Sequence, residues 1–192
     1  MELQRGVVGD LATFPALRDA VAGANVAGHT AALCHHGREH RWPIVHCLAE
    51  FRRDWAGSVI NSPLHAAMAR IPGHLVAATP ATDLIPEIAA SPADFHIPRL
   101  SGVSPFCGTA LDQTLRSMGV TVLIVTGVSV NLGVLGLCIE AVNLGYQVVL
   151  ATDAVAGTPA AYADAVIRET LSLVCTLATT EEIIAASPTP SA

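Results

Sequence analysis

The chain has 192 residues and no lysine; its ten basic residues are all arginines. An arginine stays charged and presents a planar fork of donors, so it can clamp a carboxylate but cannot exchange protons as a buried lysine does. Charge is scarce in general, at 14% of residues with a net of −6. That balance, with the arginines scattered, excludes nucleic acid as the main ligand. Long apolar runs are also lacking: the longest, residues 120–130, is interrupted by Thr126 and Ser129 and is too short for a bilayer. The opening Met1–Arg5 lacks the charged-then-apolar pattern of a signal peptide. No C-x-x-C pair occurs among the five cysteines, an odd number that reads as reduced thiols. These absences predict a cytoplasmic protein with no membrane segment. With 52% apolar residues, much of its surface must be uncharged or covered by further subunits, as in a homodimer or homotetramer.

The histidines include a cluster, His35, His36, His40 and His46, at the end of a predicted helix and the following strand. It has no H-E-x-x-H and no carboxylate at ligand spacing, so neither a metal nor a cofactor is expected.

Strand and helix patterns alternate along the chain. Residues 15–41 read as one helix, stopped by Pro43 and followed by a strand over 44–48. Ser62-Pro63 opens a helix, Ser62 as N-cap. Residues 73–99 are rich in Pro and Ala and predict irregular covering structure with a weak strand over 95–97. Thr109 and Asp112 predict a capping box for a helix that Gly119 ends. A β-branched run over 120–125 is followed by a turn at Gly127 and a helix from Asn131 to Asn143 that is apolar nearly all round. Residues 147–152 form another strand, ending at Asp153. Thr158-Pro159 opens a long helix to Ser172, residues 174–178 form a last strand, and Thr179 with Glu182 caps a short helix. The expected architecture is a three-layer α/β/α sandwich around a mostly parallel, Rossmann-like sheet. It forms a single domain over residues 1–186, with a flexible tail over 187–192.

A buried parallel strand running into a helix N-terminus places N–H groups and a positive dipole end at the carboxyl edge of the sheet, where ligands bind in open α/β folds. Several local patterns there resemble one family. Glu2-Leu3-Gln4 is similar to its opening D-x-Q, Ser104-Pro105-Phe106-x-Gly108-Thr109 to S-A-F-x-G-T, and Asp153-Ala154 to D-A. Gly127-Val128-Ser129 is similar to the turn that carries a cis peptide and orients oxyanion-binding N–H groups. On these patterns the chain resembles the isochorismatase-like superfamily, the cysteine hydrolase family, over most of its length. The resemblance implies a hydrolase with an Asp, Lys and Cys triad, and the aromatic ring of Phe106 lining its pocket.

The departures lie at the triad itself. Glu2 takes the acid position. No lysine exists; the nearest cation is Arg99, although the spacing from Phe106 points to Leu100. Gly133 stands where the family has its nucleophilic Cys. Cys138, five residues along the helix, is turned about 140° away from Gly133, and Cys107, beside Phe106, is the remaining thiol near the pocket. True isochorismatases also have Gly at this position, in G-V-Y-A-H-[IV]-G, and hydrolyse a vinyl ether without an acyl intermediate. The resembling residues here are Gly127 to Gly133, with Ser129, Val130 and Asn131 in place of Tyr, Ala and His.

The resulting expectation is acid-assisted addition of water to a small anionic substrate. Glu2 donates the proton, Arg99 holds the anion, and Gly133 leaves room at the reacting end. Phe106, Val128, Ser129 and Asn131 line the substrate site. A non-catalytic member that binds a small molecule or serves as an oligomeric partner is the alternative, and an amide hydrolase using Cys107 a third. The family's central first strand lies just upstream of the acid, whereas here Met1 alone precedes Glu2. Either residues upstream of Met1 complete that strand, or the central slot of the sheet is short at one end.

Overall fold

The computed structural model describes residues 1–187, so most of the expected 187–192 tail lies outside the described residues. The strands are β1 (Val45–Ala49), β2 (Phe95–Arg99), β3 (Val122–Val128), β4 (Gln147–Ala156) and β5 (Thr176–Ala178). The helices are α1 (Pro15–Gly23), α2 (Val26–Glu39), α3 (Pro63–Met68), α4 (Leu111–Ser117), α5 (Gly133–Asn143), α6 (Ala160–Ala165) and α7 (Thr180–Ala186). All strand pairings between these elements are parallel, β1 with β2 and β3-β4-β5 in that order.

Successive side chains on a strand point to opposite faces, and the core clusters follow that alternation. Val125, Val148 and Leu150 pack with Leu111 and Leu115 of α4 and with Val134, Leu137 and Cys138 of α5. Their neighbours Ile124, Val149 and Ala151 pack instead with Leu33 of α2 and Ile183 of α7. Helices thus cover both faces, which gives the α/β sandwich expected from the strand–helix alternation.

The two sets of strands do not pair with each other. Met1 and Glu2 lie between them. The Val128 N–H donates to the Met1 carbonyl at 3.0 Å, and the Met1 ammonium donates to the Thr126 carbonyl at 2.8 Å. On the other side the Glu2 N–H donates to the Cys47 carbonyl at 2.9 Å. Gly127 is obligatory at this crossing, because its φ is +102° and a Cβ there would lie 2.0 Å from the Met1 carbonyl oxygen.

Several element boundaries differ from expectation. The 15–41 helix breaks into α1 and α2 at Asn25, whose φ of +50° is left-handed, a conformation Asn tolerates. The capping box at Thr109 is absent: Thr109 Oγ1 accepts from the Leu111 N–H and donates to the Pro105 carbonyl. Asp112 turns instead to Arg116 and the Tyr146 hydroxyl. The helix after Pro159 loosens into a π-turn over Val166–Thr170 and a 3₁₀ turn over Leu171–Leu173, where Val166, Ile167 and Thr170 crowd the helical backbone. The capping box at Thr179 and Glu182 is present. Asp153 lies within β4, and its carboxylate accepts from the N–H and hydroxyl of Thr180, tying β4 to the start of α7.

Candidate active site

Glu2, Arg99 and Gly133 come from three separate elements. Glu2 follows the short crossing segment, Arg99 ends β2, and Gly133 opens α5. Glu2 has a φ of +53°, a left-handed backbone in a residue with a Cβ, and such strain clusters at functional sites. Its Oε1 lies 2.5 Å from Arg99 Nη2, with the side chains 15% and 7% exposed. The contact is an ion pair by distance, but Glu2 Oε1 lacks an aligned hydrogen bond. Arg99 Nε donates to the Gly102 carbonyl at 3.1 Å, while Arg99 Nη1 is buried without a partner. A buried donor of that kind is costly unless something accepts from it. Leu100, the position the spacing pointed to, is 45% exposed, because alternation along β2 turns Arg99 inward.

The open side of Gly133 faces the same place. A Cβ there would lie 3.6 Å from Glu2 Oε1, 3.4 Å from the Val103 carbonyl and 2.7 Å from the end of the Met1 side chain. As the first residue of α5, Gly133 has an N–H with no intrahelical acceptor. The site therefore has a carboxyl group flanked by a fixed guanidinium and by the positive end of an 11-residue helix.

Other expected residues sit differently. Helix α5 begins two residues later than expected, and Asn131 remains in the loop. Ser129 Oγ donates to Asn131 Oδ1 at 2.7 Å, and Asn131 Nδ2 donates to the Thr158 carbonyl at 3.3 Å, so the two polar side chains brace the loop. The Val128–Ser129 peptide is cis. Val128 is fully buried in a core cluster with Leu3, Phe51 and Ile88. Phe106 is a core residue, its ring stacked on Tyr146 with centroids 5.9 Å apart. Phe106 also lies, with Leu111 and Leu115, among the residues lining the cavity that Met1 and Glu2 border.

Of the thiols, Cys47 lies near the group, on β1 where its carbonyl accepts from the Glu2 N–H, within reach of the charges of Arg99 and Glu2. Cys107 is exposed, and Cys34, Cys47 and Cys138 are buried. Contact with the Cys175 thiol, then burial, pushes Cys138 up, and burial pushes Cys34 and Cys47 up. A raised thiol is a poor nucleophile.

Gln4 carried part of the D-x-Q resemblance but no expected role, and its side chain is fully hydrogen-bonded beside the site. Fully buried, it donates from Nε2 to the carbonyls of Ala49 and Thr82, and Oε1 accepts from the Ala49 N–H at 2.8 Å. It stands in for a strand neighbour of β1 and fixes the segment that carries Glu2. A polar residue between Leu3 and Val7, both buried, was the available signal. The histidine cluster also differs from expectation, because a carboxylate is present. His36, Glu39 and His40 offer ligand atoms within 4.8 Å of one another and are the residues able to hold a cation. His46 is elsewhere, bonded to Asp94. Among the described residues no helix is long and apolar enough to cross a membrane.

A parallel α/β fold with a carboxyl group, a cation and a helix N-terminus at its carboxyl edge is the setting of a small-molecule site. The chain resembles solved structures of that class. An isochorismatase family protein from Burkholderia thailandensis shares 24% identity, with a TM-score of 0.78 over 96% of this chain and 91% of that one. The N-carbamoylsarcosine amidase from Thermoplasma acidophilum shares 20%, with a TM-score of 0.71 over 94% of each chain. An uncharacterized isochorismatase family protein, YwoC of Bacillus subtilis, is 30% identical over 102 residues, 53% of either chain. The match thus spans about half the length of that curated relative. The isochorismatase domain itself matches residues 2–182, and the chain belongs to that family.

Proposed function

We propose that this family member is a hydrolase of a small anionic molecule that adds water with acid assistance and forms no covalent thiol intermediate. The observation that carries the reading is the meeting of Glu2, Arg99 and Gly133, which has no side chain, at the start of α5. With Gly at the nucleophile position and the nearby Cys47 thiol pushed up by burial, chemistry that needs only a proton and a water fits best. A vinyl ether meets that requirement. The acid protonates the terminal vinyl carbon, water adds at the ether-bearing carbon, and the hemiketal collapses to a ketone and an alcohol. The proton lost by the attacking water restores the acid.

Glu2 is the acid in this scheme. In the free protein Arg99 faces it as a counter-charge. A substrate carboxylate that takes the guanidinium leaves the Glu2 carboxyl group free to face the reacting carbon as general acid. The unpartnered Arg99 Nη1 supplies the second donor for a bidentate grip on the substrate. At Gly133 the end of the Met1 side chain lies where a Cβ would stand, and the reacting end takes that space by displacing it.

The same reading makes the protein a cytoplasmic, single-domain homodimer or homotetramer. Support for assembly comes from α5, where Ile139 and Val142 remain 41% and 37% exposed, with Leu132 just ahead of it at 42%. Activity assays against isochorismate and simple amides, run with the parent and Glu2→Gln, test the chemistry. Turnover of the vinyl ether is expected to fall at least about a hundredfold in Glu2→Gln, in line with loss of a general acid, while the anion still raises the melting temperature. Unaltered turnover in Glu2→Gln would remove the assignment. Binding without turnover in the parent would favour the non-catalytic member.

A further inference from the structure

Helix α2 ends on the sequence His36-Gly37-Arg38-Glu39-His40. Three of these side chains carry metal-ligating atoms at positions i, i+3 and i+4, and so fall within about 100° of the helix circumference. The two imidazoles sit one turn apart, with ring centroids 3.9 Å from each other and planes 30° from parallel. One ligand atom from each of His36, Glu39 and His40 lies within 4.8 Å of the other two. Ligand atoms around a tetrahedral Zn²⁺ are about 3.4 Å apart. Small rotations of these half-buried or exposed side chains close that difference.

The hydrogen bonds prepare each ligand. His40 Nδ1 lies 2.8 Å from the His36 carbonyl. A carbonyl only accepts, so Nδ1 carries the proton and Nε2 keeps its lone pair. Metal-ligating histidines make such a bond through the ring nitrogen that does not touch the metal. Glu39 Oε1 is 3.3 Å from His35 Nε2, which leaves Oε2 for another partner. His36 Nε2 is buried with no hydrogen-bond partner, and a buried polar atom in that state is costly unless something binds it.

Electrostatics favour a cation at the same point. The last turn of a helix carries the negative end of its dipole. Arg38, the one basic residue between the ligands that is always charged, already pairs with Asp94 through both Nε and Nη2. The donor set then selects the ion. Two imidazoles and a carboxylate suit a transition ion such as Zn²⁺, whereas Mg²⁺ and Ca²⁺ take shells of oxygen. None of the three residues lines the cavity beside Met1 and Glu2, so the site stands apart from the acid-assisted chemistry.

We propose that His36, Glu39 and His40 bind a divalent transition ion of the Zn²⁺ type, with water in the remaining positions. The ion clips the last turn of α2, the turn from which Arg38 reaches Asp94 just ahead of β2.

Titration calorimetry of the full chain with Zn²⁺ tests the site, with Mg²⁺ as the contrast. At a hundredfold excess over its Kd, Zn²⁺ is expected to raise the melting temperature by about 5 °C, and Mg²⁺ at the same concentration to leave it unchanged. His36→Ala and His40→Ala should weaken Zn²⁺ binding at least about tenfold, the loss that removal of a supporting group already causes at metal sites. Glu39→Gln, at an exposed position that does not endanger folding, should weaken it in the same direction. Cys107→Ser should leave it unchanged, because that exposed thiol lies outside the site. Trp42 reports where the ion sits, its ring centroid being 5.3 Å from that of His36 and 5.8 Å from that of His40. Cu²⁺, which imidazole sites bind more tightly than Zn²⁺, should quench the emission of Trp55→Phe, and adding His36→Ala should abolish the quenching at the same concentration. No Zn²⁺ binding by the parent, or the same Kd in all three ligand variants, would overturn the proposal. So would loss of binding in Cys107→Ser, or quenching that survives His36→Ala.

Discussion

Asp94→Asn tests how the strand that carries Arg99 is anchored. The Asp94 carboxylate is 2% exposed and immediately precedes β2. It accepts from Arg38 Nη2 at 2.6 Å, from the Ser91 N–H at 3.0 Å and lies 2.9 Å from His46 Nε2. Burial alone would push Asp94 up, but the bonds from Arg38, Ser91 and His46 outweigh it and hold the group at about 2, against an ordinary 3.8. A depression of that size corresponds to about 2 kcal/mol. A carboxylate held down in the folded state contributes stability that is present above the unfolded value and lost as pH falls through the folded one. The parent should therefore exceed Asp94→Asn by about 2 kcal/mol at pH 7. The gap should shrink as the pH falls from about 4 to about 2. His46 is pushed down, by burial first, with Asp94 opposing the shift, so both proteins also lose stability as pH falls below the ordinary histidine range, Asp94→Asn more so, and the gap widens there before it shrinks from about 4 to about 2. Urea unfolding at a series of pH values measures it. A gap that is absent at pH 7, or constant down to pH 2, would refute the reasoning.

Gln4→Leu leaves the Ala49 N–H and two carbonyls without partners, and should destabilise the chain by at least about 2 kcal/mol in urea unfolding. It should also lower turnover more than KM alone explains, because Glu2 is two residues away. Cys107→Ser, and iodoacetamide treatment of the parent, should leave activity within about twofold, as expected for an exposed thiol outside the acid-assisted chemistry. Loss of activity on alkylation of Cys107 would favour the amide hydrolase.

The alternation of strands and helices and the layers were legible because apolar periodicity and Gly/Pro punctuation act locally. Thr179 and Glu182 cap α7 as their spacing predicts, whereas Thr109 and Asp112 do not cap α4, because Arg116 and Tyr146 compete for the same carboxylate. Similar local patterns lie at Phe106, yet its ring belongs to the core. Arg99 was the nearest cation in the chain, but only the inward turn of β2 shows it, and not Leu100, beside Glu2. Gln4 was illegible for the opposite reason. Its three partners come from residues 49 and 82, far along the chain, and no local pattern encodes such contacts.

The crossing at Met1 and Glu2 has a thermodynamic consequence. Arg99 hangs from the β1–β2 pair and Gly133 follows β3, so on the proposed reading the residues that would hold a substrate lie on opposite banks of the cavity between β1 and β3. A ligand held by both acts as a staple across the seam, and its binding energy becomes resistance to separation of the banks. At a hundredfold excess over Kd that resistance is about 2.7 kcal/mol. Occupancy of the site would then be readable at the far end of the sheet, in how slowly the backbone amides of Val122 and Ile124, which line that cavity, exchange with solvent.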